Sequence, residues 1–216
     1  MMPHQEQPVL HQGPDLTEAA AALILLHGRG ASAESILGLT EVLELEDISV
    51  HAPQAEGSVW YPETFLAPRE NNQRWITGAF AVIDRIIGEV REAGLDTDRV
   101  ILLGFSQGAC LATDYVYHHP ARYGGVIALS GGLIGPQGIT WAPQPGLAGT
   151  PVFIGCSDID PFIPVERVRE TQDAMERSDA QSEMQLYPGM PHTVNDHEIS
   201  RANAMIAAAR TGLADI

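Results

Sequence analysis

Val100-Ile101-Leu102-Leu103-Gly104-Phe105-Ser106-Gln107-Gly108-Ala109-Cys110-Leu111-Ala112-Thr113 is the stretch on which the fold turns. Its first half is an unbroken aliphatic run, which reads as a strand, Val100–Phe105, buried on both faces. Its second half opens a helix, Gln107–His119, stopped by Pro120. Between the two, Gly104 and Gly108 bracket Ser106 in a G-x-S-x-G pattern. In a chain with 21 glycines the five letters alone could mark an ordinary loop serine. The strand leading in and the helix leading out give them chemical meaning. A nucleophilic serine has to stand on a sharp, strained turn, and glycines two residues before and after let neighbouring chains approach it. The hydroxyl then lies above the positive end of a helix dipole, which favours developing negative charge.

Working outward, the same alternation recurs. Ala22–His27, Ile48–Ala52, Gly125–Leu129, Pro151–Cys156 and Ser182–Leu186 read as strands. Ser32–Glu44 (with Ser32 as its N-cap), Trp75–Ala93 (ended by Gly94), Val165–Ser178 and Glu198–Thr211 read as helices. Two long connections, Pro53–Gln73 and Ser130–Thr150, are rich in Pro and Gly, and connections of that length are usually functional. Uniformly apolar strands separated by helices require a parallel sheet covered on both faces. The predicted fold class is therefore α/β: a single-domain, three-layer α/β/α sandwich over residues 1–216, mostly parallel, with residues 1–18 as a peripheral N-terminal strand or arm. The segments between strands are too short for a separate lid domain. Right-handed crossovers bring the C-terminal ends of all parallel strands to one edge, where such sheets bind ligands.

Composition narrows the function. The chain has 216 residues, 44% of them hydrophobic, which suits one folded domain rather than a disordered chain. The longest near-continuous apolar run, Ala19–Leu26, is far short of the roughly 20 residues that span a bilayer, so no membrane insertion is expected. The N-terminal residues lack a signal-peptide pattern, and two cysteines make no disulfide framework, so a cytoplasmic location is expected. The formal net charge is −16, and all twelve basic residues are arginine. Such a surface repels nucleic acid, which is excluded as a partner. The missing lysine fits either a GC-rich genome or adaptation to high salt, where screening relieves self-repulsion.

A serine hydroxyl needs an adjacent base, itself oriented by an acid, and on such a sheet the order along the chain is Ser, Asp or Glu, then His. His118 and His119 end the helix that Ser106 begins and cannot reach back. His192, in a Pro/Gly loop after the last strand, is the expected base, with His197 as the back-up. The acid follows the strand Pro151–Cys156. Asp160, held by Pro161, is preferred over Asp158, which is expected to bond loop amides. The oxyanion donors are expected to be the backbone N–H groups of Gln107 and of Arg29, the latter in the turn His27-Gly28-Arg29-Gly30. Phosphate binding at that turn fails, because Ala33 stands where a third glycine is needed. Trp60, Tyr61, Phe65 and Ser130 are candidate substrate-binding residues, although a loop tucked on the core would hold the same aromatics. His27 is expected to bond backbone in its turn, and Cys110 and Cys156 to fill the core. No histidine pattern calls for a metal, and no cofactor is needed.

These motifs carry a resemblance. With Leu26-His27-Gly28-Arg29-Gly30, Ala52-Pro53-Gln54, Trp60-Tyr61-Pro62, Gly104-Phe105-Ser106-Gln107-Gly108, Leu129-Ser130-Gly131-Gly132, Asp160-Pro161-Phe162-Ile163-Pro164 and Tyr187-Pro188-Gly189-Met190-Pro191-His192, the chain resembles the α/β-hydrolase superfamily. The likeness is to its phospholipase/carboxylesterase branch, which includes acyl-protein thioesterases and cytosolic carboxylesterases, and it runs from about Ala22 to the C-terminus. It implies the triad Ser106, Asp160 and His192, and a serine carboxylesterase acting on a small-molecule ester with small to medium acyl chains. An acyl-thioesterase or lysophospholipase with the same triad is the alternative. Some relatives form dimers, so the resemblance allows a homodimer. Dienelactone hydrolases, a related branch, carry a cysteine where Ser106 stands here. Two departures stand out: Arg29 replaces an aliphatic residue, which would admit a polar or negatively charged substrate group, and Cys156-Ser157 replaces a His-Gly pair.

Overall fold

A computed structural model describes residues 2–212. The described residues form a seven-stranded sheet of order β1-β3-β2-β4-β5-β6-β7. Its strands are β1 (Val9–Gln12), β2 (Ala21–Leu26), β3 (Ile48–Pro53), β4 (Val100–Phe105), β5 (Gly125–Leu129), β6 (Pro151–Ser157) and β7 (Gln181–Tyr187). All pairings are parallel except that of β1 with β3, in which Val9 lies opposite Pro53. The expected N-terminal strand or arm thus contributes an edge strand.

The helices are α1 (Ala33–Leu37), α2 (Arg69–Glu92), α3 (Gln107–His118), α4 (Val165–Arg177) and α5 (Asp196–Thr211). Strand side chains alternate between two cores. Ala22, Ile24 and Leu26 of β2 pack with α2, α3 and α4, whereas Ala21, Leu23 and Leu25 pack with α1 and α5. Burial on both faces explains why β2 and β4 are apolar throughout instead of alternating.

Three helices differ from the sequence reading by two residues or more at one end, and the other elements by at most one residue at either end. The helix expected over Ser32–Glu44 is cut to Ala33–Leu37 and continues as a 3₁₀ turn, Gly38–Glu41. Ser32 does cap it, exchanging hydrogen bonds with Ser35. Helix α2 starts at Arg69 rather than Trp75, directly after Pro68, because the polar residues 69–73 that read as loop form its first turns. Helix α5 starts two residues early, capped by Asn195 in a reciprocal box with Glu198.

The chain leaves β2 toward β3 on one side, then crosses back to β4 on the other. Adjacent strand ends whose connections depart in opposite directions leave a crevice between them. The turn Gly28–Gly30 follows β2 and Ser106 follows β4, so both lie at this crevice.

Candidate active site

Ser106 sits between β4 and α3 with φ 56° and ψ −118°, a conformation costly for a residue with a side chain. Its backbone is held by Ser106 N–H to Leu129 O (2.9 Å) and Cys110 N–H to Ser106 O (3.0 Å). A Cβ built on Gly108 would fall 2.0 Å from Leu26 O, so only glycine lets α3 lie this close to β2. Gln107 is the first residue of α3, and N–H groups there have no partner within the helix.

Asp160, in the loop after β6, is fully buried at its side chain. Its Oδ1 accepts from the N–H groups of Phe162 (2.8 Å) and Ile163 (3.0 Å), and its Oδ2 meets His192 Nδ1 at 2.6 Å. A carboxylate so used can only accept, so Nδ1 carries a hydrogen, and in the neutral ring Nε2 keeps its lone pair. The ring is wedged between Phe105 and Phe162, each with its centroid 4.9 Å away. Asp158 accepts instead from Gly189 N–H (2.8 Å), tying the Asp160 loop to the loop that carries His192. His197 is turned away on α5, paired with the Tyr187 hydroxyl.

Ser106 and His192 line one cavity of about 510 Å³, well within the range of small-molecule sites. Arg29, Gln107, Tyr61 and Phe65 also line it, together with Phe105, Phe162 and Ile163. The last three were not singled out from sequence, although each lies inside or beside a motif that was. Trp60 and Ser130 do not line the cavity. Trp60 is completely buried behind it, donating from Nε1 to His27 O (2.8 Å) and packing on the His27 ring. Ser130 is likewise fully buried at the end of β5, beside the Cys156 thiol. Burial pushes both Cys110 and Cys156 up to about 12, so neither is a thiolate nucleophile.

The segment Trp60–Thr64, which brings Tyr61, Pro62 and Thr64 to the cavity wall, is irregular backbone, and side chains meet most of its polar groups. Gln107 accepts from Trp60 N–H (2.9 Å) and donates to Tyr61 O (2.8 Å). Asn72, buried on the first turn of α2, accepts from Glu63 N–H (2.9 Å) and donates to Thr64 O (3.1 Å). Arg29 donates to Tyr61 O (2.8 Å), Pro62 O (3.0 Å) and Glu63 O (2.8 Å). Beneath the wall, His27 Nε2 accepts from Ala55 N–H, which leaves its Nδ1 hydrogen for Gly28 O (2.8 Å). Burial lowers the pKa of His27 and so favours this neutral form. Behind the wall, His4 from the N-terminal arm accepts from Glu56 N–H (3.0 Å) at Nδ1 and bonds Trp60 O (3.1 Å) through Nε2. The arm lies on α2 at Gly78, where a Cβ would come within 2.5 Å of Pro3 O.

The sheet order, the strained serine between strand and helix, and the buried Asp–His pair delivered by the loops after β6 and β7 define an α/β-hydrolase fold. The chain belongs to the phospholipase/carboxylesterase family, whose pattern matches residues 14–209. A solved phospholipase/carboxylesterase from Dyadobacter fermentans superimposes with a TM-score of 0.88 at 36% identity, over 94% of this chain and 97% of that one. Acyl-protein thioesterase 1 of Saccharomyces cerevisiae is 32% identical over 54% of this chain and 52% of its own length. The esterase NocK of Nocardia uniformis, named as putative, is 30% identical over 71% of this chain and 44% of its own length. The chain thus spans about half the length of these two curated relatives, but 88% of acyl-protein thioesterase 1 from Kluyveromyces lactis, at 27% identity.

Proposed function

We propose that this protein is a serine carboxylesterase that hydrolyses esters of small to medium acyl chains through an acyl-enzyme. The observation that carries the reading is the 2.6 Å bond between Asp160 and His192 at the mouth of the cavity that also holds Ser106. His192 Nε2 takes the Ser106 proton as Oγ adds to the ester carbonyl carbon. The oxyanion accepts hydrogen bonds from the N–H groups of Gln107 and Arg29, each worth about 3–4 kcal/mol in the transition state. The neighbouring Gly30 and Ala31 N–H groups are already engaged, by Ser58 O and Gly28 O. His192 then returns the proton to the leaving alcohol as the carbonyl re-forms. Water, deprotonated by the same nitrogen, adds to the acyl-enzyme, and collapse releases the acid and restores Ser106. Asp160 keeps the imidazole in the working tautomer throughout. The steps are carried by side chains and backbone amides, without a metal or cofactor.

Relatives named acyl-protein thioesterase favour a second reading, in which the same groups cleave an acyl thioester. Rates on a chain-length series of p-nitrophenyl esters, beside an acyl-CoA and a lysophospholipid, separate the two. A fluorophosphonate probe is expected to label the wild type and not Ser106→Ala. An unlabelled wild type would instead favour a binding protein on a hydrolase fold.

A further inference from the structure

We propose that the Arg29 guanidinium is a positioning group that sets acyl selectivity by fixing the cavity wall, and is not a receptor for a charged substrate group. The inference rests on the esterase reading above and deepens it. An arginine at the rim of an apolar cavity would ordinarily suggest an anionic ligand. Here, however, the guanidinium grips three consecutive carbonyls, those of Tyr61, Pro62 and Glu63. This segment supplies Tyr61 and Pro62 to the cavity lining. Unregular backbone of this kind has no ladder partners, so without those donors it would turn to water and lose its position.

The geometry couples selectivity to chemistry. Arg29 and Gln107 are the two residues whose N–H groups face the oxyanion in the proposed mechanism. Both send their side chains to the same strip, where Tyr61 O receives a hydrogen bond from each at 2.8 Å. The acyl wall and the oxyanion donors therefore form one rigid unit. Apart from Ser106, His192, Arg29, Gln107, Thr64 and Cys110, the cavity lining is glycine, aromatic or aliphatic, and the carboxylate of the gripped segment, Glu63, accepts from Asn71 rather than from Arg29. A wall held at fixed distance from Ser106 suits an uncharged acyl chain lying against Tyr61 and Phe65.

The test compares wild type, Arg29→Leu and Arg29→Lys on p-nitrophenyl acetate, butyrate, hexanoate and hemisuccinate. A well-packed wall gives about fourfold in kcat/KM per buried methylene. A loosened one in Arg29→Leu is expected to give about twofold, so over the four methylenes between acetate and hexanoate the ratio falls about sixteenfold, mainly through KM. Arg29→Lys, which can reach one or two of the carbonyls, is expected to recover part of that ratio. Independently of turnover, hydrogen exchange in residues 58–66 is expected to quicken about tenfold in Arg29→Leu and not elsewhere. An unchanged ratio and unchanged exchange would overturn the inference, as would a loss confined to the hemisuccinate, which would assign Arg29 to charge recognition. If wild type labels with fluorophosphonate and turns over esters, these failures fall on Arg29 alone. If it does neither, the esterase reading falls and this inference with it.

Discussion

Replacing Gly108 by alanine tests whether catalysis depends on the close approach of α3 to β2. The new Cβ would fall 2.0 Å from Leu26 O, 2.5 Å from Leu26 C and 2.7 Å from His27 O. All three are backbone atoms, so no side chain can swing away, and reaching even a tight 3.0 Å contact separates helix from strand by about 1 Å. The two proposed oxyanion donors lie on opposite sides of that contact, Gln107 on α3 and Arg29 in the turn after β2. Opening the gap stretches a hydrogen bond of about 2.9 Å toward 3.9 Å, where it no longer counts as one. Loss of one such donor costs about 10²–10³ in kcat, while the overpacking destabilises the fold by about 1–3 kcal/mol. For a domain of this size that lowers Tm by roughly 2–12 °C. Gly108→Ala should thus be folded by circular dichroism, melt earlier, and turn over p-nitrophenyl acetate at least a hundredfold more slowly. A variant that melts with the wild type and retains a third of its kcat would refute the reasoning.

Three further outcomes follow. Gly88 lies within α2 with open space where a Cβ would fall, so Gly88→Ala should stabilise the protein by about 0.5–1 kcal/mol and raise Tm by a few degrees at unchanged activity. Glu198 is fully buried, with Oε2 bonded to Asn195 N–H and Oε1, against Gly155, lacking a partner among the described residues, and burial raises its pKa from 4.5 to about 7. The folded state therefore keeps a proton that the unfolded chain has lost, and the contribution present below about pH 4.5 disappears as pH rises to about 7. Glu198→Gln should be stabilised relative to wild type by on the order of 2–3 kcal/mol on going from pH 5 to pH 8; a difference that does not vary with pH would contradict this. Finally, if the charge of −16 is an adaptation to salt, Tm should climb between dilute buffer and molar KCl, and a flat or falling curve would discard that reading.

The parts of the site written in local pattern were legible from the sequence. The aliphatic run into Ser106 and the helix after it mark the elbow, and parallel strands joined by right-handed crossovers place the loops of Asp160 and His192 at one sheet edge. Pro161 set Asp160 apart from Asp158 in the letters, and in the structure one carboxylate meets His192, the other a loop amide. Features that depend on distant backbone were not legible. Arg29 looks like a free cation in sequence because its acceptors, the carbonyls of residues 61–63, carry no side-chain signal. Asn72 is polar yet buried, since it serves the wall, and this disguised the first turns of α2 as loop. Trp60 reads as a groove aromatic because composition cannot tell the front of a loop from its back. The Asn195–Glu198 capping box, by contrast, was present in the letters and would have placed the start of α5.

His4 gives the N-terminal arm a mechanical reach beyond its length. Both of its ring nitrogens are engaged with the segment Glu56–Trp60, one side chain away from the surface on which an acyl group would rest. An affinity tag, a shifted translation start or a proteolytic nick that lifts Pro3 off Gly78 therefore acts on the enzyme from within, and preparations with ragged leading residues would register as a mixture of substrate preferences.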